Sequence, residues 1–208
     1  IINKKSGINY SLSADLKLNN SSVKIKKFFV KDNSNKSNLL IDDEKSKTSE
    51  LLNFLRVIWV TPVMEKIMLQ SNSERRNFFD RLIFNIEKKH LKSFSAYNKF
   101  TKERLHILKS SNIDDGWLQQ IETNIAQHAY EVIRYRKEAI DKINANLSLI
   151  SLPFNSCIVE LIYDNSLKIL DNQDEFIFNY SNILSNNRQI DKELNRTLIG
   201  PNKVEVRM

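Results

Sequence analysis

The sequence predicts an α+β fold, a small and mostly antiparallel sheet with an inserted lobe of antiparallel helices. Three observations carry this. Apolar and polar residues alternate near the start of the chain, they recur at helical spacing from Ser73 to about Leu149, and a short strand pattern followed by another helical one returns the chain. The boundaries that follow are 1–70 for the β-rich part, 71–150 for the helical lobe and 151–208 for the strand–helix return.

Tyr10, Leu12, Ala14, Leu16 and Leu18 alternate with polar residues, as in a half-buried strand. Asn19 to Ser22 read as a turn. Val23, Ile25 and Phe29 alternate with lysines and make the second arm of a hairpin. Asn33 to Asn38 form another turn, Asn38 to Ile41 a short strand, and the charged run from Asp42 to Lys47 a loop. Ser49 to Leu55 read as a short helix. Val57-Ile58-Trp59-Val60 is an apolar run of the kind found in strands buried on both faces. Thr61-Pro62 stops it, because proline offers no N–H to a ladder and suits a first helical turn. Val63, Met64, Ile67 and Met68 then follow at helical spacing.

After the polar gap Gln70 to Ser73, Ser73 is the expected N-cap of a helix running to about Lys88, with Glu74 in its first turn. Arg75 and Arg76 stand beside its apolar face of Phe78, Phe79, Leu82 and Ile83. In the next helix Leu91, Phe94, Tyr97, Leu105 and Leu108 share a side, and Lys92, Lys99, Lys102, Arg104 and Lys109 lie mostly elsewhere. Asp114 or Asp115 caps a third helix that carries Trp117 or Leu118, Ile121, Ile125, Val132, Ile140, Ile143 and Leu147 for about nine turns. The last two helices pack as an antiparallel hairpin with Arg136 near the seam. Ser151-Leu152-Pro153 ends the lobe. Ser156 to Tyr163 read as a strand, and Asp174 to about Leu194 as one helix faced by Phe176, Ile177, Tyr180, Ile183, Leu184 and Ile190.

The net charge of +7, from 32 Lys+Arg and 25 Asp+Glu, favours a polyanionic partner, although a spread-out basic surface is also simply solvated. The single cysteine, Cys157, excludes an internal disulfide framework, reads as an inert buried residue and fits a reducing cytoplasm. No run approaches the roughly 20 apolar residues of a bilayer span. His90, His106 and His128 lack metal-ligand spacing, and no nucleophile elbow is present. With Gly7, Gly116 and Gly200 as the only glycines, no Gly-rich Lys-Ser/Thr loop exists to cradle a triphosphate.

Two motifs and the helices between them resemble the RecF family, bacterial recombination and gap-repair ATPases related to SMC and Rad50 proteins. The first is Trp59, Thr61-Pro62, Met64-Glu65 and Arg75-Arg76-Asn77-Phe78-Phe79-Asp80, with Phe79 at a family leucine. The second is Arg188 with Asp191, then Arg196-Thr197-Leu198-Ile199-Gly200-Pro201-Asn202-Lys203. Between them Tyr97, Arg104, Trp117 and Arg136 follow the family order. The departures are Asn202 for histidine, Lys203 for arginine and Val204 at an acidic or small polar position. Asparagine cannot take a charge and lysine lacks the bidentate fork.

The resemblance implies an ABC-type ATPase head: residues 1–70 as part of its first lobe, 71–150 as the helical second lobe, and 151–208 as the return to the head. Its nucleotide motifs are expected outside the given sequence, which is read as an internal piece of a longer cytoplasmic protein. ATP and Mg²⁺ are then the full-length protein's ligands, with weak DNA-dependent ATPase activity and dimerisation on ATP binding. The implied partners are double-stranded DNA at gap junctions and RecO- and RecR-type proteins; no membrane is involved. The residues singled out are Thr61 and Glu65 near the nucleotide, and Arg75, Arg76, Lys99, Lys102, Arg104 and Lys203 toward DNA. The arginines at 75 and 76 are equally read as pairing with Glu74, Asp80 or a neighbouring lobe. The alternative function is a non-enzymatic helical interaction module of another SMC-like or degenerate ABC-type protein.

Overall fold

The computed structural model describes residues 10–18, 21–29, 37–59, 61–111, 114–150, 156–167 and 172–208. The chain divides into two units, 1–57 and 58–208.

In the first unit β1 (Tyr10–Leu18), β2 (Ser21–Phe29), β3 (Ser37–Ile41) and β4 (Glu44–Ser46) form an antiparallel meander in chain order. Ile41 pairs with Glu44 across Asp42 and Asp43, whose φ of 50° and 65° make a two-residue mirror-image turn. The loop expected over 42–47 is therefore a hairpin. The Asp42 side chain also accepts from Lys24 N–H at 2.8 Å, tying the turn to β2. The expected turns at 19–22 and 33–38 fall largely outside the described residues. Val23, Leu39 and Ile41 make the core, with Ile25, Leu51 and Phe54 against it. Leu51 lies in a 3₁₀ helix, Thr48–Asn53, where a short helix was expected over Ser49 to Leu55. β1 is an edge strand, and its alternation does not produce a half-buried face: Leu12 is 64% exposed and Ala14 is exposed. Alternation marks a strand with two different faces. It does not supply the layer that covers one of them.

Val57, Ile58 and Trp59 do not form the expected central strand. They are unladdered and exposed, Ile58 by 64%, and Val60 is outside the described residues. An apolar run becomes a buried strand only where neighbouring strands receive it, and none does so among the described residues. Trp59 lies under the Arg81 guanidinium at 5.7 Å rather than in the core with Phe79.

In the second unit a 3₁₀ segment, Pro62–Leu69, kinked at Lys66, leads to α1 (Asn72–Ile86). The N-cap is Ser71, two residues before the expected Ser73. Ser71 Oγ accepts from Glu74 N–H while Glu74 accepts from Ser71 N–H, a reciprocal capping box. α2 (Lys88–Leu108) and α3 (Asp115–Leu147) form the antiparallel hairpin, and Asp114 caps α3 by accepting from Trp117 N–H at 2.9 Å. Ala126 and Ala129, fully buried, allow close packing along α3. β5 (Glu160–Ile162) pairs antiparallel with β6 (Glu205–Arg207). The single helix expected over 174–194 is two, α4 (Gln173–Asn186) and α5 (Arg188–Leu194), broken at Asn187. The break turns Ile190 outward, 46% exposed, and aims Asp191 inward.

Tyr97, Leu118, Ile121, Ile125, Ile133, Phe176, Tyr180 and Leu184 form the larger core. A second cluster, Phe79, Ile140, Val159 and Val206, joins α1 to the small sheet. Two asparagines imitate strand partners there. Asn144 exchanges hydrogen bonds with both backbone groups of Val159, at 2.8 and 2.9 Å, and Asn72 contacts Val204 O and Val206 N–H. Cys157 is half-buried rather than buried. Among the described residues no helix is long and apolar enough to cross a membrane, and no group of three side chains is placed to hold a metal.

Candidate functional site

Both sequence motifs converge on a buried seam of arginines between the helices. Arg136 of α3 grips Asp80, the last residue of the first motif, through two parallel bonds of 2.8 Å, and donates to Pro201 O of the second at 2.6 Å. Arg136 is 2% and Asp80 6% exposed. Asp80 also meets His90 Nε2 at 3.3 Å. Burial pushes the Asp80 carboxyl up, but the His90 bond and the Arg136 charge outweigh it and hold it below the usual carboxylate range. Burial pushes the His90 imidazole down, against the pull of Asp80.

The second node lies farther along α2. Arg104 is fully buried and donates to Glu122 at 2.9 Å, Asp191 at 2.7 Å and Leu184 O at 2.6 Å. Asp191 also accepts from Leu198 N–H, holding the start of the second motif's loop. Arg188 closes the node on Glu122 from the other side, at 2.6 and 3.0 Å, and reaches Asp115 at 3.2 Å. Gly200 sits against two tyrosines. A Cβ there would overlap the Tyr97 hydroxyl and lie 2.9 Å from that of Tyr180, so close approach demands glycine. Tyr180 donates in turn to Ile199 O at 2.8 Å.

The residues singled out from the sequence are not brought into one site. Arg104 corrects its expectation: it lies on the core face of α2 with Tyr97 and Leu108, where three acceptors offset its desolvation. Arg75 and Arg76 are half-buried and bond carbonyls rather than Glu74 or Asp80. Arg75 donates to Met68 O and Gln70 O, and Arg76 to Val204 O at 3.0 Å. Lys99, Lys102 and Lys203 are exposed. Asn202, beside Lys203, bonds Asn98 of α2 at 2.9 Å. Thr61 and Glu65 are exposed on the 3₁₀ segment. Thr61 lines a groove of about 610 Å³ with Trp59, Met64, Asn77 and Phe84, and its N–H is taken by Met64 Sδ. Glu122 escaped the sequence reading, Asp191 entered it only as a motif residue and His90 only as a histidine without metal-ligand spacing. Their signal was a polar residue on an apolar stripe, as where Glu122 falls between Leu118, Ile125 and Ala129.

These residues do not fit a triphosphate. Gly116 lies in the first turn of α3, Gly200 is packed on tyrosine hydroxyls, and the half-buried arginines are occupied by carbonyls. The arrangement is mechanical: planar forks and carboxylates fasten α1, α2, α3, α5 and the 198–204 loop to one another.

No protein-family model matches the chain. It is 31% identical over 181 residues, 84% of its length, to the DNA replication and repair protein RecF of Rickettsia typhi, and 29% over the same length to that of Rickettsia bellii. These alignments cover 48% of each relative, so the chain spans about half their length. The solved recombination mediator protein RecF-ATPrS of the RecFOR pathway superposes with a TM-score of 0.80 over 95% of this chain and 55% of its own, at 18% identity, a likeness of fold. The structure has the α+β architecture of that protein. The order of the two motifs, the helical lobe between them and the shared fold agree: the chain belongs to the RecF family.

Proposed function

We propose that this chain is part of an ATP-dependent DNA-binding protein of recombinational gap repair and replication restart, which helps load recombinase at single-strand/double-strand junctions. RecO- and RecR-type partners and ATP-driven dimerisation belong to the same reading. Its support is kinship with proteins named for DNA replication and repair, and fold likeness to a protein solved with ATPrS. Because the residues here do not fit a triphosphate, no nucleotide step is assigned to them.

The carrying observation is that both motifs end on one buried seam, Asp80–Arg136–Pro201 and Arg104–Asp191–Leu198. The seam makes α1, the α2–α3 hairpin and the 198–207 return one stiff piece, because a buried fork opposed by carboxylates resists rotation that would leave charge unpaired. The chain's part is then that of a rigid arm passing a movement at its base to whatever the helices bind. The test is complementation: the full reading frame carrying this chain should restore ultraviolet survival to a bacterium lacking its own RecF. In vitro, Mg·ATP should promote dimerisation and retention on gapped DNA. No rescue from a soluble, folded product, with no effect of Mg·ATP, would favour the non-enzymatic interaction module.

A further inference from the structure

The outer face of α2 is a band of positive charge with a regular spacing. Lys92, Ser95, Lys99, Lys102, His106 and the C-cap residue Lys109 recur every three or four residues, and all are exposed. At roughly 100° per residue they occupy an arc about 100° wide, opposite the face that buries Tyr97, Arg104 and Leu108. From Lys92 to Lys109 the band is about 26 Å long at the helical rise. Lys92, Lys102 and Lys109 make no ion pair with a described residue, and Lys99 contacts only the ring of Phe100, at 5.8 Å. The one carboxylate within α2, Glu103, is half-buried at the edge of the band and bridges none of these lysines. The turn that ends the second motif adds to this face. Asn202 bonds Asn98, one residue before Lys99, and the exposed Lys203 follows directly.

We propose that this face of α2, with Lys203 at its flank, is the surface on which the protein follows the phosphate backbone of duplex DNA. The proposal rests on the DNA-repair reading above and adds the surface and the mode of contact. Lysines are mobile point charges suited to phosphates, and nothing in the band has the planar fork that reads a guanine edge. No Phe, Tyr or Trp lies in it, and platforms of such rings are what single-strand binders use. No apolar residue borders it outward either, as insertion into a lipid surface requires, because the apolar face of α2 is spent in the core. The length of the band matches about seven or eight base pairs of duplex at 3.4 Å per step.

The test uses the full-length protein carrying this chain, a fluorescent 30-base-pair duplex and a single strand of equal length, with anisotropy read from low to physiological salt. The variant is K92Q/K99Q/K102Q/K109Q. Each phosphate contact contributes about 0.9 to the slope of log affinity on log salt, so the slope should fall by about three to four and duplex affinity at least tenfold. Lys203→Gln should lower the slope by about one, and the thermal melt of both variants should match the parent. A control removing Lys137 and Lys142, exposed on α3, should keep the parental slope. A quadruple variant that keeps the parental slope overturns this surface and leaves the repair reading standing. A per-lysine loss as large in the control means bulk charge rather than a surface, and also overturns it. A parent that binds no duplex, with or without Mg·ATP, sinks both this inference and the reading beneath it.

Discussion

The two faces of α2 use positive charge in opposite ways. Inside, Arg104 is fully buried and meets two carboxylates and a carbonyl; outside, Lys99 and Lys102 stand in solvent and bridge no carboxylate. Lys102 and Arg104 are two positions apart in the chain, yet helical phase puts them on opposite sides. The guanidinium is planar, always charged and divisible among several acceptors, so its desolvation is recoverable; an ammonium on a flexible stem is better left wet. Basic composition is thus a poor guide to a polyanion surface here. Arg75, Arg76, Arg104, Arg136 and Arg188 all have internal partners, and on the outer face of α2 lysines carry the charge.

The contrast breaks hardest at the seam. Asp80→Ala leaves Arg136 buried without a carboxylate, its bond to Pro201 O remaining, and removing one partner of a buried pair costs about 3–5 kcal/mol. Urea unfolding should show that loss, and Arg136→Leu should lose a comparable amount by stranding Asp80. Arg104→Lys sharpens the point: the charge is kept, the three-way fork is lost, and stability should still fall by about 1–3 kcal/mol.

Gly200→Ala should cost about 1–3 kcal/mol through overpacking against Tyr97 and Tyr180. Its signature is that Gly200→Ala combined with Tyr97→Phe, which removes the obstructing hydroxyl, is less destabilised than the sum of the two changes.

Acidification should weaken the seam in two stages. Burial holds the His90 pKa below the ordinary histidine value, so the unfolded state binds the extra proton and stability begins to drop as pH falls below about 6.5. Asp80 has its folded pKa depressed. Its contribution is present above the unfolded value of about 3.9 and is lost as pH falls through the lower folded one. Unfolding free energies from pH 8 to 4 should show the first stage, and His90→Phe should remove it.

The smallest effects belong outside. Lys102→Gln should change stability by less than about 0.5 kcal/mol, and Arg134→Ala, which breaks an exposed pair with Glu138, by a similar amount. A loss of several kcal/mol from either change would erase the distinction between the two faces.

Much of this division was present in the chain as pattern. Helical periodicity through α1, α2 and α3, the Asp114 cap and the strand alternation near the start are local signals, set by 3.6- and 2-residue repeats and by side chains that bond backbone groups two or three residues away. The order of the two motifs likewise needed nothing beyond the sequence. Partner choice over long separations was not legible. Arg104 and Asp191 lie 87 residues apart and Arg136 and Asp80 56, and no local rule says which carboxylate a buried arginine will find.

The same physics explains the misreadings. Val57 to Trp59 carry the apolarity of a buried strand, but burial belongs to the neighbours and not to the run. The break at Asn187, which aims Asp191 at Arg104, follows from what α5 must reach rather than from its own periodicity. The chain alone carried which long stretches are helical and which positions along them share a face, because both depend on bonds within a few positions. Only the tertiary structure decided which charges are structural and which are free, because desolvation and partner geometry are properties of the packed whole.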